Sequence, residues 1–296
     1  MSTSKQNATI YMHFAVLMWG FTAILGKVIH LREYILVWYR MVLVVVLLLF
    51  FPKLYKELKQ FSKKEIISVG LIGFLVALHW VFFYGSIKFA NASVALCALA
   101  LTSLFTSTVE PIINRKRLNL LEFGLGLLVI PGVLLINQAI PRGYYLGWIL
   151  GIVAALMAAL FTSLNKKFAQ NTPELGTLWL QLGAGALFLS GLLPIYIYYF
   201  PNSFVLPTST DWLFLIVLVS FCTILPYILY LKALKKSTAF ATNLINNLEP
   251  IYGIVLAAVF FNENQELGGH FYLGAIIILL AVFIHPIIIK YKSKHN

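Results

Sequence analysis

Residues 237–263 read Ser-Thr-Ala-Phe-Ala-Thr-Asn-Leu-Ile-Asn-Asn-Leu-Glu-Pro-Ile-Tyr-Gly-Ile-Val-Leu-Ala-Ala-Val-Phe-Phe-Asn-Glu. The run is apolar enough to cross a bilayer, yet it sets Asn243, Asn246, Asn247 and Glu249 on successive turns and follows them with Pro250. An ionisable group in a spanning helix faces a cavity or a partner, and a proline there frees a carbonyl one turn earlier that needs another donor. The stretch therefore reads as built around something bound or moved. The alternative is a polar seam through which asparagines join neighbouring helices.

Composition agrees with a chain that lives in lipid. Hydrophobic residues make up 60% of the 296 positions, charged residues 11%, and the mean hydropathy is +0.88. That balance excludes an ordinary soluble domain. The formal charge of +12 would suggest nucleic acid in a soluble chain, but here the cations cluster between apolar runs. Cys97 and Cys222 both sit inside apolar runs, so neither a disulfide framework nor a metal site is indicated. The first apolar run continues into Lys27 without a small-residue cleavage site and is read as a retained helix.

A spanning helix needs ~20 mostly apolar residues. Ten segments meet that length, near 8–29, 34–51, 66–87, 92–113, 120–138, 144–165, 174–200, 211–231, 238–261 and 268–289. With ten spans the cations fall on one side. Lys53, Lys56, Lys59, Lys63 and Lys64 follow the second helix, and Arg115, Lys116 and Arg117 follow the fourth. Lys166 and Lys167 end the sixth, Lys232, Lys235 and Lys236 end the eighth, and Lys290, Lys292 and Lys294 lie in the tail. The opposite loops carry only Arg32, Lys88, Arg142 and Asp211. Both termini are expected to be cytoplasmic.

The halves resemble each other. Glu33, Trp38 and Arg40 recur at the same spacing as Glu174, Trp179 and Gln181. Phe21-Thr22 before Lys27 matches Phe161-Thr162 before Lys166 and Lys167, and Tyr84 to Ser93 pairs with Tyr230 to Thr238 if one residue is dropped. Five spans per half is an odd number, so the second copy is expected upside down relative to the first, an arrangement suited to alternating access. Arg115-Lys116-Arg117 in one copy stands where Asn262-Glu263-Asn264 stands in the other, a charge difference that follows the membrane side.

Trp19-Gly20 through Lys27, Arg40, the Leu-Glu-Pro-Ile-Tyr of 248–252 and the Phe-Asn-Glu of 261–263 together resemble the EamA-type branch of the drug/metabolite transporter superfamily. The resemblance covers nearly the whole chain, as one five-helix copy over 1–140 and a second over 141–296. It implies an all-α integral membrane bundle of ten helices around a central cavity. The third, fourth, eighth and ninth helices would line that cavity, with the first and sixth moving against them. It also implies secondary transport of small metabolites, often export of amino acids. Many members carry a glutamate where this chain has Arg115-Lys116-Arg117, so a structural role for that glutamate does not carry over.

Several polar residues fall at mid-membrane depth. Glu249 can bind an amine, exchange a proton or do both in turn, or it can hold a proline-broken helix to a neighbour. Neighbouring positions on a helix differ by ~100°, so Asn243, Asn246 and Pro250 share a face with Asn247 at its margin. His79, Trp80, Phe83 and Tyr84 suggest an aromatic wall with a titratable imidazole, or else a buried histidine bonded to a carbonyl among packing aromatics. Arg40, two turns into the second helix, can clamp a carboxylate bidentately, pair with Glu33, or serve a structural or gating role. Lys27 and Lys88 are expected to snorkel. Glu110-Pro111 is read as a gate or anchor beside the Arg115 cluster, and Gly147 to Gly151 as a helix-packing motif.

No phosphate loop, HExxH, His/Cys cluster or glycine-flanked serine elbow is present, which argues against ATP drive, enzymatic chemistry and a cofactor. The sequence thus points to a bacterial inner-membrane secondary transporter, read as an exporter of amino-acid-like compounds. The alternative is an importer or exchanger of a nucleobase, vitamin or organic anion. The expected partners are the bilayer, a small-molecule substrate and protons as coupling ion, with no nucleic acid, in a monomer or homodimer. The residues expected at the substrate are Trp19, Arg40, His79, Trp80, Tyr84, Asn243, Asn246 and Glu249, with Glu249 and Glu110 for coupling and gating.

Overall fold

The structure, a computed structural model, describes residues 3–246, 248–261 and 268–278, together with residues 280 and 284. Asn247, the Asn262-Glu263-Asn264 motif, the lysines of the tail and the last part of the tenth expected span lie outside the described residues, apart from residues 280 and 284. All described secondary structure is helical. In chain order the helices are α1 (Thr3–Val28), α2 (Glu33–Leu49), α3 (Pro52–Leu58), α4 (Lys63–Phe89), α5 (Ala92–Leu99), α6 (Leu101–Asn114) and α7 (Leu120–Leu127). There follow α8 (Val129–Ala139), α9 (Tyr145–Phe168), α10 (Glu174–Tyr199), α11 (Ser209–Val219), α12 (Leu225–Lys236), α13 (Ala239–Asn246) and α14 (Glu249–Phe261).

Among the described residues seven segments are long and apolar enough to cross a membrane: 8–28, 63–89, 92–114, 142–168, 174–199, 209–236 and 239–261. The other expected spans differ from their sequence reading. The second is only 17 residues long and turns by 94° into α3, so Lys53, Lys56 and Lys59, expected in a loop, lie on or beside a short helix. Pro52 explains the corner, since it starts a helix well and cannot continue one. The fifth is a shorter apolar helix over Leu120–Ile136, and the described part of the last runs over Gly269–Ile278.

Among the described residues three spans are broken, one of them the fifth, where Leu128 separates α7 from α8. Ala100 separates α5 from α6, and the chain breaks again between α13 and α14. The eighth widens into a π turn at Ser220–Ile224 between α11 and α12. Ends are closed by side chains where the sequence supplies them. Ser62 and Glu65 form a capping box on α4, Thr208 and Asp211 another on α11, and Asn91 accepts from the Val94 N–H to start α5.

α4 packs against α9 and α10, α9 also against α5 and α6, and α1 against α12 and α14. Gly147 and Gly151 let α9 approach closely, because an added Cβ would sit 2.6 Å from the Ala90 and Ala98 methyls respectively. Large apolar side chains such as Leu187, Ile195, Val259 and Phe260 are exposed along the outer faces, as helices in contact with lipid require.

Candidate functional site

The Ala100 break and the break between α13 and α14 border a cavity of about 60 Å³ lined from both halves of the chain. Its lining includes Trp19, Arg40, His79, Trp80, Asn243, Asn246 and Glu249, so seven of the expected residues share one space. The remaining walls are Met12 and Thr22 from α1, Phe83 from α4, Leu99 and Thr102 beside the Ala100 break, Ala158, Phe161 and Thr162 from α9, and Tyr227 and Tyr230 from α12.

Arg40 is fully buried, and each of its three nitrogens donates to the protein. Nε reaches Thr223 Oγ1 at 2.8 Å, Nη1 reaches the Tyr84 hydroxyl at 3.0 Å, and Nη2 reaches the Cys222 carbonyl at 3.2 Å. The guanidinium also lies 3.8 Å from the Trp80 ring centroid, a close cation–π contact. The Cys222 carbonyl is available because residue 226, four positions on, is a proline with no N–H to give back. The π turn there widens the helix, as such turns often do at functional sites. Thr223 completes the arrangement by donating to the Leu218 carbonyl at 2.6 Å. Arg40 therefore does not pair with Glu33, whose Oε1 instead accepts from the Tyr196 hydroxyl at 3.1 Å.

Tyr84, expected as a wall, stands behind it: it is fully buried, bonds Arg40 and is absent from the lining. His79 faces the cavity while its Nδ1 bonds the Ala154 carbonyl at 2.8 Å, with Phe161 in edge contact at 5.4 Å. On the opposite side, Asn243 donates to Thr106 Oγ1 at 2.8 Å and accepts from Thr162 Oγ1 at 3.3 Å. Tyr230 donates to the same Thr162 hydroxyl at 3.1 Å. The Tyr227 hydroxyl donates to Gln181, whose amide in turn donates to Asn165.

Glu249 is buried at the first turn of α14, with the Asn246 side chain as its hydrogen-bonding neighbour. Among the described residues no ion pair within 4 Å joins it to Arg40, so two groups of opposite formal charge border one cavity unpaired with each other. Glu110 is elsewhere: its carboxylate accepts from the backbone N–H of Ala239 at 3.3 Å and of Phe240 at 2.9 Å. It caps α13, and among the described residues no ion pair within 4 Å joins it to the Arg115 cluster, contrary to the expected partner.

Lys88, expected to snorkel, turns inward and donates to the Ile29 carbonyl at 2.6 Å. Lys235 does the corresponding thing in the other half, donating to the Thr172 carbonyl and to Glu174 at 2.8 Å. No group of three or more potential metal ligands occurs among the described residues. Cys97 and Cys222 are buried and unpaired.

Sequence reasoning passed over Thr22, Thr102, Phe161, Tyr227 and Tyr230. One signal was available: Phe161-Thr162 repeats Phe21-Thr22, and both threonines line the cavity.

The sequence model of the EamA-like transporter family matches residues 6–138 and 145–285. The uncharacterized transporter YxxF of Bacillus subtilis (strain 168) is 23% identical over 272 residues, covering 90% of this chain and 86% of its own length. A solved crystal structure aligns with a TM-score of 0.67 at 14% identity, covering 93% of this chain and 95% of that one, a likeness of fold alone.

Proposed function

The chain belongs to the EamA-like transporter family, and from that premise we propose that it is a secondary transporter exporting amino-acid-like zwitterions from the bacterial cytoplasm. The observation that carries the substrate class is the cavity bordered by buried Glu249 and buried Arg40, unpaired with each other, with aromatic side chains among its other walls. A ligand bearing both an ammonium and a carboxylate complements both charges, whereas a purely anionic or cationic one leaves one of them uncompensated.

Alternating access is the mechanism that fits. The cavity of about 60 Å³ is small against the ~300–1,000 Å³ of a typical ligand site, so loading requires the surrounding helices to separate. In our reading the halves 1–140 and 141–296 are inverted five-helix repeats that rock about this point, with both termini cytoplasmic. Three pairs of contacts support the repeat. Lys88 holds the turn after α1 as Lys235 holds the turn after α9. Trp38 donates to Ser190 as Trp179 donates to Val45 across α2 and α10. A Cβ on Gly132 would meet the Gly274 carbonyl oxygen at 2.5 Å, and one on Gly274 would meet that of Gly132 at the same distance.

Glu249 is the proposed ammonium and proton site, with Asn246 beside it. Proteoliposome transport of an amino-acid panel, with and without a pH gradient, tests this in the wild type and Glu249→Gln. The variant is expected to exchange substrate without responding to the gradient. Unchanged gradient-driven transport by the variant would remove Glu249 from the mechanism. Wild-type uptake of other metabolites driven by an inward proton gradient would replace the export reading by an import one.

A further inference from the structure

Hydroxyls inside apolar helices ordinarily satisfy themselves by donating to the carbonyl three or four residues back. In α6 this holds for Ser103 to Ala100 at 3.2 Å, Thr106 to Thr102 at 2.6 Å, Ser107 to Leu104 at 2.7 Å and Thr108 to Phe105 at 2.8 Å. The remaining hydroxyl of that helix, Thr102, makes no such bond. Its Oγ1 is buried without a partner among the described residues, and so is that of Thr22 on α1. The two residues are 1% and 4% exposed, and both line the cavity. A buried, unpartnered hydroxyl lowers stability, and a valine of the same shape would avoid that loss.

Several other polar groups of the lining are already engaged. Tyr227 donates to Gln181, Tyr230 to Thr162, and Asn243 to Thr106. Each nitrogen of Arg40 already donates one N–H to the protein, which fixes the guanidinium in place while its charge reaches the cavity. Asn246 Oδ1, by contrast, is a buried acceptor without a donor, beside the Glu249 carboxyl. The cavity thus has an acceptor-rich end at Glu249 and Asn246, and two uncommitted hydroxyl donors at Thr22 and Thr102.

Resting on the transport reading above, we propose that Thr22 and Thr102 donate directly to the carboxylate of the zwitterionic substrate. Arg40 supplies the compensating charge from behind, as a positioning residue. The threonines would thereby be specificity-determining, discriminating an amino acid from the amine that lacks its carboxylate.

The test measures binding of each of the twenty L-amino acids to detergent-purified full-length protein, with Tm recorded in parallel, for wild type, Thr22→Val, Thr102→Val and the double variant. For an amino acid that the wild type binds, each single substitution is expected to weaken binding about tenfold and the double about a hundredfold. Without amino acid, the variants should melt at a Tm equal to or about 2 °C above the wild type, since an unpaired hydroxyl has been removed. The corresponding decarboxylated amine should bind wild type and variants alike. Undiminished amino-acid binding by the double variant would overturn the assignment and leave the transport reading standing. Weaker binding accompanied by a lower Tm, or an equal loss for the amine, would overturn it in favour of a structural role. If no amino acid binds the wild type, the zwitterion reading fails and the threonine assignment fails with it.

Discussion

Glu110-Pro111 and Glu249-Pro250 are the same dipeptide in two broken spans, and their surroundings put the carboxylates to different uses. Around Glu110 the need is for acceptors. The first turn of α13 presents N–H groups with no intrahelical partner; Ala239 and Phe240 give theirs to Glu110, while Ala241 gives its own to Thr238 Oγ1 at 3.0 Å. Around Glu249 the need is already met. The Leu248 carbonyl accepts from both Ile251 and Tyr252, and Pro250 has no N–H to satisfy. One break therefore consumes its glutamate as a cap, and the other leaves its glutamate facing the cavity. A glutamate–proline pair in a membrane helix is not a functional signal until the nearby backbone donors are counted.

The strongest way to break this contrast is to remove each carboxylate and compare stability. Glu110→Ala strips two buried backbone N–H groups of a charged acceptor and is expected to lower unfolding free energy by about 2–4 kcal/mol. Glu249→Gln should change it by less than about 1 kcal/mol, because it leaves no backbone donor unmet and keeps the side-chain shape. Thermal or denaturant unfolding in detergent reads both. Equal losses would show that Glu249 also holds the fold, and its place in transport would then need rethinking.

A smaller effect sharpens the capping half of the comparison. Thr238→Ala removes one neutral cap from the same helix end, at an exposed site, and should cost about 1 kcal/mol. Combined with Glu110→Ala, the two losses are expected to exceed their sum, because the first turn of α13 then has no side-chain acceptor at all. A strictly additive double variant, measured by the same unfolding assay, would mean that the two caps act on independent parts of the helix.

Much of this arrangement was legible in sequence, for reasons that separate by residue. Span lengths and basic clusters follow from the solvent the chain must cross, which is why most helix positions emerge from hydropathy alone. Arg40, His79 and Glu249 were conspicuous because such groups are rare in lipid. The breaks were harder to see: Ala100 is a good helix former, and nothing nearby announces that the helix stops there. Thr102 was invisible because threonine is ordinarily silent in a spanning helix, and Thr22 showed only through its repeat at Thr162; the missing back-bond is what distinguishes both from Thr106. The partner of Arg40 was readable in principle, since Pro226 releases the Cys222 carbonyl by arithmetic, but the acceptor lies 182 residues away.

The prolines offer the finest test of the same contrast. Pro111 lies inside α6, where its missing N–H leaves the Ser107 carbonyl without its usual helical donor. Pro250 lies in the first turn of α14, where an N–H would have no intrahelical partner in any case. Pro111→Ala should therefore restore a helical bond and raise stability by about 0.5–1 kcal/mol, minus a comparable entropic loss from a freer unfolded chain. Pro250→Ala gains no such bond; it keeps only the entropic loss and should lower stability by about 0.5 kcal/mol. Its larger consequence is conformational, because an alanine permits α13 and α14 to join into one continuous helix. That would turn Glu249 relative to the cavity. If Pro250→Ala left both stability and transport untouched, the break before Glu249 would be maintained by packing rather than by the proline, and the difference between the two glutamates would lie in their neighbours alone.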